Sequence, residues 1–128
     1  MTGHRPGRPA PDGRAGPALV AAVATAAEAD QAIASGADLI DGSGLTDREV
    51  AALRARHPGL RRWHGSTAAA DADQAGTPAA AVATAAVLAW LGTPAIRTRH
   101  VLPVRRAIDM TCSIAGTRLP ARTTRGLA

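Results

Sequence analysis

Two carboxylates lie three residues apart on either side of a short apolar stretch, where they could contribute to a small-molecule site. Asp38 and Asp41 flank Leu39 and Ile40, and a Gly-Ser-Gly turn follows at 42–44. Carboxylates at the carboxyl ends of parallel strands often line the mouth of a β/α barrel, where they bind substrate. The alternative is a local role, in which Asp38 caps or pairs with a neighbour and Asp41 opens the turn. The sequence leaves both interpretations open.

The histidine and cysteine residues do not indicate a metal site or a nucleophile. His57, His64 and His100 do not share a helical face and have no cysteine nearby, whereas a metal site needs several ligands at short, regular spacing. We expect structural or solvent-exposed roles for His57 and His64. Cys112 falls in the middle of a predicted helix, on its inner side, and we expect a small core residue there.

The net charge of +5 comes from the two ends of the chain. All fifteen basic residues are arginine, and the nine in 18–116 are balanced by nine Asp and Glu. Nucleic-acid-binding domains place positive charge on a folded face, often with aromatic residues for stacking. Trp63 and Trp90 are the only aromatic residues here. We therefore expect solubilising basic tails and no nucleic-acid partner.

Composition predicts one domain in the cytoplasm. The 128 residues suffice for one core, but roughly a quarter of them are alanine, which buries little area. A single cysteine excludes an internal disulfide and fits a reducing compartment. We expect no secretory leader and no membrane partner, because the apolar stretch 79–91 is too short and too rich in alanine to span a bilayer.

Periodicity and capping signals predict alternating strands and helices. Strands are expected at 18–23, 38–40, 60–63 and 95–98. Helices are expected from Thr25 to Ala34 and from Thr46 to Pro58, each with a capping box, and then from Pro78 to Gly92 and from Pro103 to Gly116. The segment 65–76 has no pattern and is interpreted as a linker or a weak helix.

This order predicts an α/β fold with a parallel sheet. About four strands are too few to close an eight-stranded barrel of roughly 250 residues, so we expect a partial (half) β/α barrel or a small open parallel sheet with flanking helices. The domain should span 17–116, between a disordered basic tail at 1–16 and a second basic tail at 117–128. An open sheet edge favours self-association.

Two segments resemble the dihydropteroate synthase family, whose members are pterin-binding TIM barrels. Residues 83–116, ATAAVLAWLGTPAIRTRHVLPVRRAIDMTCSIAG, resemble the family's last helix, strand and closing helix, where the strand carries an Arg-x-His-Asp-Val motif. Residues 34–44, ASGADLIDGSG, are similar to the family's second strand and the turn after it. The resemblance covers about 45 of the 128 residues.

The resemblance implies a phosphate site at the last strand. Arg97 matches the arginine of the motif, Arg99 stands in place of its histidine, and His100 stands in place of its aspartate. By resemblance, these three residues bind phosphate, and Asp38 or Asp41 faces the pterin. An arginine fork and the N-terminus of the following helix both suit a phosphoryl group.

The chain also departs from the family. It contains no lysine and no asparagine, both of which the family uses at the pterin, the phosphate and the metal. The family's Asp-Pro-Gly segment and its Ser-Thr-Arg-Pro segment are missing as well, and 65–76 stands in place of the central barrel units. We expect a shortened, degenerate member that is inactive as a synthase on its own. No cofactor is evident, and Mg²⁺ is implied by the resemblance only.

Two functional hypotheses follow. In the first, the chain binds a pterin or another phosphorylated small molecule. The family reaction joins a dihydropterin pyrophosphate to p-aminobenzoate in folate biosynthesis. In the second, the chain is a non-catalytic assembly protein that pairs, through its open sheet edge, with a second copy or with a full-length barrel.

Overall fold

The computed structural model describes residues 16–62 and 69–117, which fold around one parallel sheet. Its strands are β1 (Ala18–Ala22), β2 (Leu39–Asp41), β3 (Arg61–Arg62), β4 (Ala70–Asp71) and β5 (Ala95–Thr98). Its helices are α1 (Ala26–Ala34), α2 (Asp47–Arg56), α3 (Pro78–Trp90) and α4 (Val101–Ile114). The predicted α/β class, a small parallel sheet with flanking helices, is confirmed. Among these residues, no helix is both long enough and apolar enough to cross a membrane.

Strand β4 is the element that the sequence does not predict. It pairs in parallel with β5, with Ala70 opposite Ile96 and Asp71 opposite Arg97. It lies inside 65–76, where a linker or a weak helix is expected, and that prediction is wrong at these two residues. The basic tails, apart from Gly16 and Thr117, lie outside the described residues, as do Trp63 and His64.

All four helices pack on one face of the sheet. The strand order is β3-β2-β1-β5-β4. Each connection between parallel strands, from β1 to β2, from β2 to β3 and from β4 to β5, therefore moves across the sheet in the same direction, toward the β3 edge. Right-handed crossovers then place each helix on the same side. The core agrees, because one buried cluster combines Leu19, Ile40 and Ile96 of the sheet with residues from every helix. This is the winding of a β/α barrel, with β3 and β4 at the edges of the described sheet.

Capping bonds begin three of the helices where the sequence predicts them. Thr25, Thr46 and Thr77 each accept a hydrogen bond from the backbone N–H three residues further on. A capped helix start satisfies backbone groups that would otherwise lack partners. Helix α4 is different: it begins at Val101, two residues before the predicted start at Pro103.

The second face of the sheet carries a mixed row of side chains. Val20 lies between Leu39 of β2 and Arg97 of β5, and Asp71 continues the row on β4. These residues alternate with those that contact the helices, so they point away from the helices. Val20 is fully buried although it is outside the helix-side cluster. In a closed barrel this face would be the interior.

The core is small for the number of residues that form it. Seven of the seventeen buried hydrophobic residues in the described part are alanine, and alanine removes little apolar area from water. The largest fully buried apolar side chains are Leu19, Leu53, Ile96 and Ile108. Polar contacts between elements therefore contribute a larger share of the stability than they do in a leucine-rich domain.

One buried arginine joins α4 to the beginnings of β1 and β2. Arg105 donates to Asp38 at 3.1 Å and to Asp109 at 2.8 Å, and its side chain is 9% exposed. Asp38 also accepts the N–H of Leu19 at 2.8 Å. Gly36 provides the space, because a Cβ there would lie 3.0 Å from Cδ of Arg105 and because its φ of +100° disfavours other residues.

Arg105→Ala should lower the free energy of unfolding by about 3 kcal/mol, because Asp38 and Asp109 both lose a buried ion-pair partner. The control Arg106→Ala removes the same charge from the exposed face of α4 and should change the stability by less than about 0.5 kcal/mol. Urea denaturation followed by circular dichroism measures both variants. Equal losses would contradict a structural role for the buried arginine.

An exposed carboxylate joins α1 to α2. Asp30 accepts a hydrogen bond from Arg56 at 2.9 Å and lies 2.8 Å from Nε2 of His57. The bond to His57, followed by the bond to Arg56, holds the pKa of Asp30 below its usual value of 3.8. His57 therefore has the structural role expected from the sequence.

The Asp30 group predicts a loss of stability in acid. Because the pKa of Asp30 is lower in the folded chain, the unfolded chain takes up the proton first as the pH falls. The contribution of Asp30 is complete above about pH 5 and is lost progressively below about pH 4. Asp30→Asn should flatten the acid limb of the stability curve, measured by urea denaturation at several pH values. The control Asp47→Asn alters an exposed carboxylate of α2 and should retain that limb.

Candidate functional site

One carboxylate fixes the junction between β5 and α4. Asp73 accepts the hydroxyl of Thr98 at 2.7 Å and the N–H of Arg99 at 2.8 Å. Thr98 is fully buried, and its Oγ1 accepts the N–H of His100 at 2.9 Å. Two successive backbone N–H groups are thus held by a carboxylate and a hydroxyl that bind each other. This arrangement fixes the backbone from which the side chains of Arg99 and His100 project.

Strand β4 places Asp73 at this junction. Ala72 is buried and donates its N–H to the carbonyl of Arg97 at 3.0 Å, and Asp71 accepts the N–H of Asp73 at 2.9 Å. Asp73 is not predicted as a site residue because 65–76 has no hydrophobic periodicity. The available signal is the Asp-Ala-Asp spacing after a run of alanine, which is typical of a turn closed by an aspartate side chain.

A cavity of about 390 Å³ opens between the beginning of α4 and helix α1. One wall contains Arg99, His100 and the first residues of α4. The opposite wall contains Glu28 and Gln31 of α1 together with Ser35 at its end, and the end of β1 closes the floor. The part of the cavity beside the ends of β1 and β5 is at the carboxyl end of these strands, where parallel α/β proteins bind their ligands, and the cavity extends from there along α1 to Ser35.

The wall formed by α4 is electrostatically positive. The side chain of Arg99 is 70% exposed, and its Nε lies 3.7 Å from Asp73. The N-cap residue of α4, His100, makes no side-chain capping bond, and the first turn of α4 has no acidic residue. The N–H groups of Val101 and Leu102 and the positive dipole end of the helix therefore lie at this wall, whereas Pro103 has no N–H. On the opposite wall, the Glu28 carboxylate accepts the N–H of Ala24 at 2.8 Å.

Arg97 lies elsewhere. Its Nε donates to Asp41 at 2.9 Å, and the Asp41 side chain is 9% exposed. Arg97 points to the face away from the helices and does not line the cavity that contains Arg99 and His100. The structure thus brings together two of the three residues assigned to phosphate by resemblance. It joins the third, Arg97, to one of the carboxylates assigned to the pterin side.

The two carboxylates assigned to the pterin side are at different ends of β2. Asp38 precedes the strand and binds Leu19 and the buried Arg105, so it has the local pairing role that was one of its two interpretations. Asp41 ends the strand and accepts the N–H of Ser43 at 3.3 Å, as expected for a residue that opens the turn. Asp41 also binds Arg97, and the interpretation of Asp41 as a turn residue did not predict this ion pair.

The remaining candidates do not form a chemical centre. Cys112 is buried in the core cluster, as expected. Within 16–62 and 69–117, no three His, Cys, Asp or Glu side chains are arranged so that they could hold a metal ion. Asp41, at the carboxyl end of β2, is bound to Arg97. The described carboxylates thus do not fit the Mg²⁺ that the resemblance implies.

Comparisons of the chain with protein-family models, curated proteins and solved structures give no match.

The role of Asp73 can be tested one hydrogen bond at a time. Asp73→Ala removes the acceptor of the Arg99 N–H, so the exchange of that amide with solvent should accelerate about tenfold or more. Thr98→Val removes the acceptor of the His100 N–H and should accelerate that amide while sparing Arg99. Hydrogen exchange measured by NMR resolves the two amides. An identical exchange pattern in both variants would contradict this arrangement.

Proposed function

We propose that this protein binds the phosphoryl group of a small molecule in the cavity between α1 and α4. The observation that carries the proposal is that Arg99, His100 and the beginning of α4 share one wall of that cavity. A guanidinium can donate two parallel hydrogen bonds to two oxygens of one phosphate. A helix N-terminus adds free N–H groups and a positive dipole end. A cavity of this size belongs to the range of small-molecule sites.

Each wall has its own part in the proposed site. Arg99 is exposed and weakly engaged by Asp73, at 3.7 Å, so its guanidinium can turn to the phosphoryl group without breaking a buried ion pair. His100 offers a ring nitrogen beside the same wall. On the opposite wall, the Glu28 carboxylate would repel the phosphoryl group and accept hydrogen bonds from the rest of the ligand, and the uncharged Gln31 amide could accept one as well. The site therefore selects a molecule that carries phosphate at one end and hydrogen-bond donors at the other.

The resemblance to dihydropteroate synthases suggests a ligand of this kind. A dihydropterin pyrophosphate carries phosphate at one end and N–H donors on its ring. We propose binding without synthase chemistry, because the chain has no lysine and no asparagine and because Arg97 is held by Asp41 on the other face. We propose the cytoplasm as the location of the protein, because such phosphorylated metabolites occur there.

The alternative, assembly through the open sheet edge, has less support. The edge strands β3 and β4 contain two residues each, so an added strand would find few backbone partners on either of them.

The proposal is tested by calorimetric titration of the full chain with inorganic phosphate, with pyrophosphate and with dihydropterin pyrophosphate. Arg99→Ala should weaken pyrophosphate binding at least tenfold, which corresponds to about 1.4 kcal/mol. The matched control is Arg106→Ala, which removes the same charge from the exposed side of α4 outside the cavity. It should leave the affinity within about twofold of the wild-type value.

Arg97→Ala provides a second control, because Arg97 lies on the face away from the cavity. It should leave the affinity unchanged even though it removes a positive charge. Equal weakening in all three variants would indicate attraction by the net charge of the chain and would contradict the proposed site. Binding of dihydropterin pyrophosphate no tighter than that of pyrophosphate would restrict the proposal to the phosphoryl group.

A further inference from the structure

A continuous apolar surface covers the ends of α3 and α4 on the side away from the cavity. Its members are large apolar side chains that expose between 58% and 73% of their area. We refer to Val87, Trp90, Leu91, Met110 and Ile114 as the α3–α4 patch. Single exposed apolar residues are normal on a protein surface, whereas a contiguous patch of this size marks a contact site.

The patch contains a groove. A depression of about 330 Å³ runs between the two helices, and Thr111 is the only polar side chain of the described residues that lines it. Ala86 forms part of the lining, and its small side chain leaves room between the helices. Trp90, 62% exposed, lies at the same groove. The exposed aromatic ring of Trp90 therefore forms part of the wall of a depression whose other apolar lining residues are small or aliphatic.

The patch is not required for packing α3 against α4. The two helices contribute other residues to the core, Ala81 and Ala85 from α3 and Val104, Ile108 and Cys112 from α4. Helix α3 has no ionisable residue from Pro78 to Trp90, and its outward side is therefore as uncharged as its inner side. A helix that is apolar all round is one that is covered on all sides.

We propose that the α3–α4 patch is the contact surface of a two-fold homodimer. In an isologous contact the same patch serves both subunits, so the Trp90 side chain of each copy, which forms part of its own groove, packs against the groove of the other copy. The patch residues are uncharged, so two identical surfaces meet without like-charge repulsion. A nucleic acid or an acidic partner would find no basic group among them.

The area of the patch suits this occupant. From their exposed fractions, the five side chains offer on the order of 650 Å² per copy, so that complete mutual coverage would remove roughly 1,300 Å² from water. Stable specific complexes begin at about 1,200 Å², and crystal contacts mostly stay below about 800 Å². A tryptophan at the centre of a contact is a frequent source of its binding energy.

The test is sedimentation velocity of the full chain from about 1 to 500 μM. The wild-type chain should form dimers in this range. Val87→Glu places a charge inside the groove and should weaken dimerisation at least a hundredfold, because the carboxylate would be buried without a partner. The matched control, Ala79→Glu, places the same charge at an exposed position of the same helix outside the groove and should retain the dimer.

Circular dichroism and urea denaturation establish that both variants are folded, and Trp90→Ala provides a second probe that introduces no charge. A wild-type chain that stays monomeric up to 500 μM would overturn the proposal, and so would dimers that persist in Val87→Glu and Trp90→Ala. Species that grow beyond the dimer with concentration would also contradict the two-fold contact. Co-sedimentation of the monomer with neutral lipid vesicles, lost in Val87→Glu, would assign the patch to a lipid surface instead.

Discussion

The pairing of β1 with β5 is the contact on which the rest of the structure depends. It joins the first half of the chain, β1 to β3, to the second half, β4 to α4, through four residue pairs from Ala18 opposite Ala95 to Ala21 opposite Thr98. The same register brings Arg97 within reach of Asp41 on the far side of β1. It also places the beginning of α4 beside α1, and the cavity is the space between them.

Because the core is rich in alanine, this junction relies on buried polar contacts at both ends of the sheet. At the amino end, Arg105 of α4 binds Asp38, which in turn accepts the N–H of Leu19 at the beginning of β1. At the carboxyl end, Asp73 holds Thr98 and Arg99. Each contact satisfies backbone or charged groups that would be expensive to bury without partners. The position of α4 is therefore determined by directional bonds as much as by apolar packing.

The features predicted correctly from the sequence are those determined by neighbouring residues. Helix starts at Thr25, Thr46 and Thr77 depend on a bond to a residue three positions away, and the strand at 95–98 is an apolar segment between a helix end and a helix start. Strand β4 was not predictable in this way, because two residues have no period and pair only because β5 is already in place.

The separation of Arg97 from Arg99 shows why the site was only partly predictable. Alternation along a strand would place both side chains on the same face. The strand ends at Thr98, however, because Asp73, in the turn after β4, accepts the N–H of Arg99. The chain turns there, Arg99 moves to the cavity, and Arg97 remains on the sheet opposite Asp41. The spacing of Arg97 and Arg99 in the sequence cannot predict this separation, because the separation depends on Asp73, which is 26 positions away from Arg99.

The two proposed surfaces share helix α4 without overlapping. Val101 and Leu102 line the cavity at its beginning, whereas Met110 and Ile114 belong to the patch near its end. At 1.5 Å per residue, Leu102 and Met110 lie about 12 Å apart along the axis. A dimer formed through the patch would therefore leave the cavity of each copy open to solvent. A variant that loses dimerisation should therefore still bind a phosphoryl group, and the reverse. A variant that loses both would indicate that α4 is no longer correctly folded.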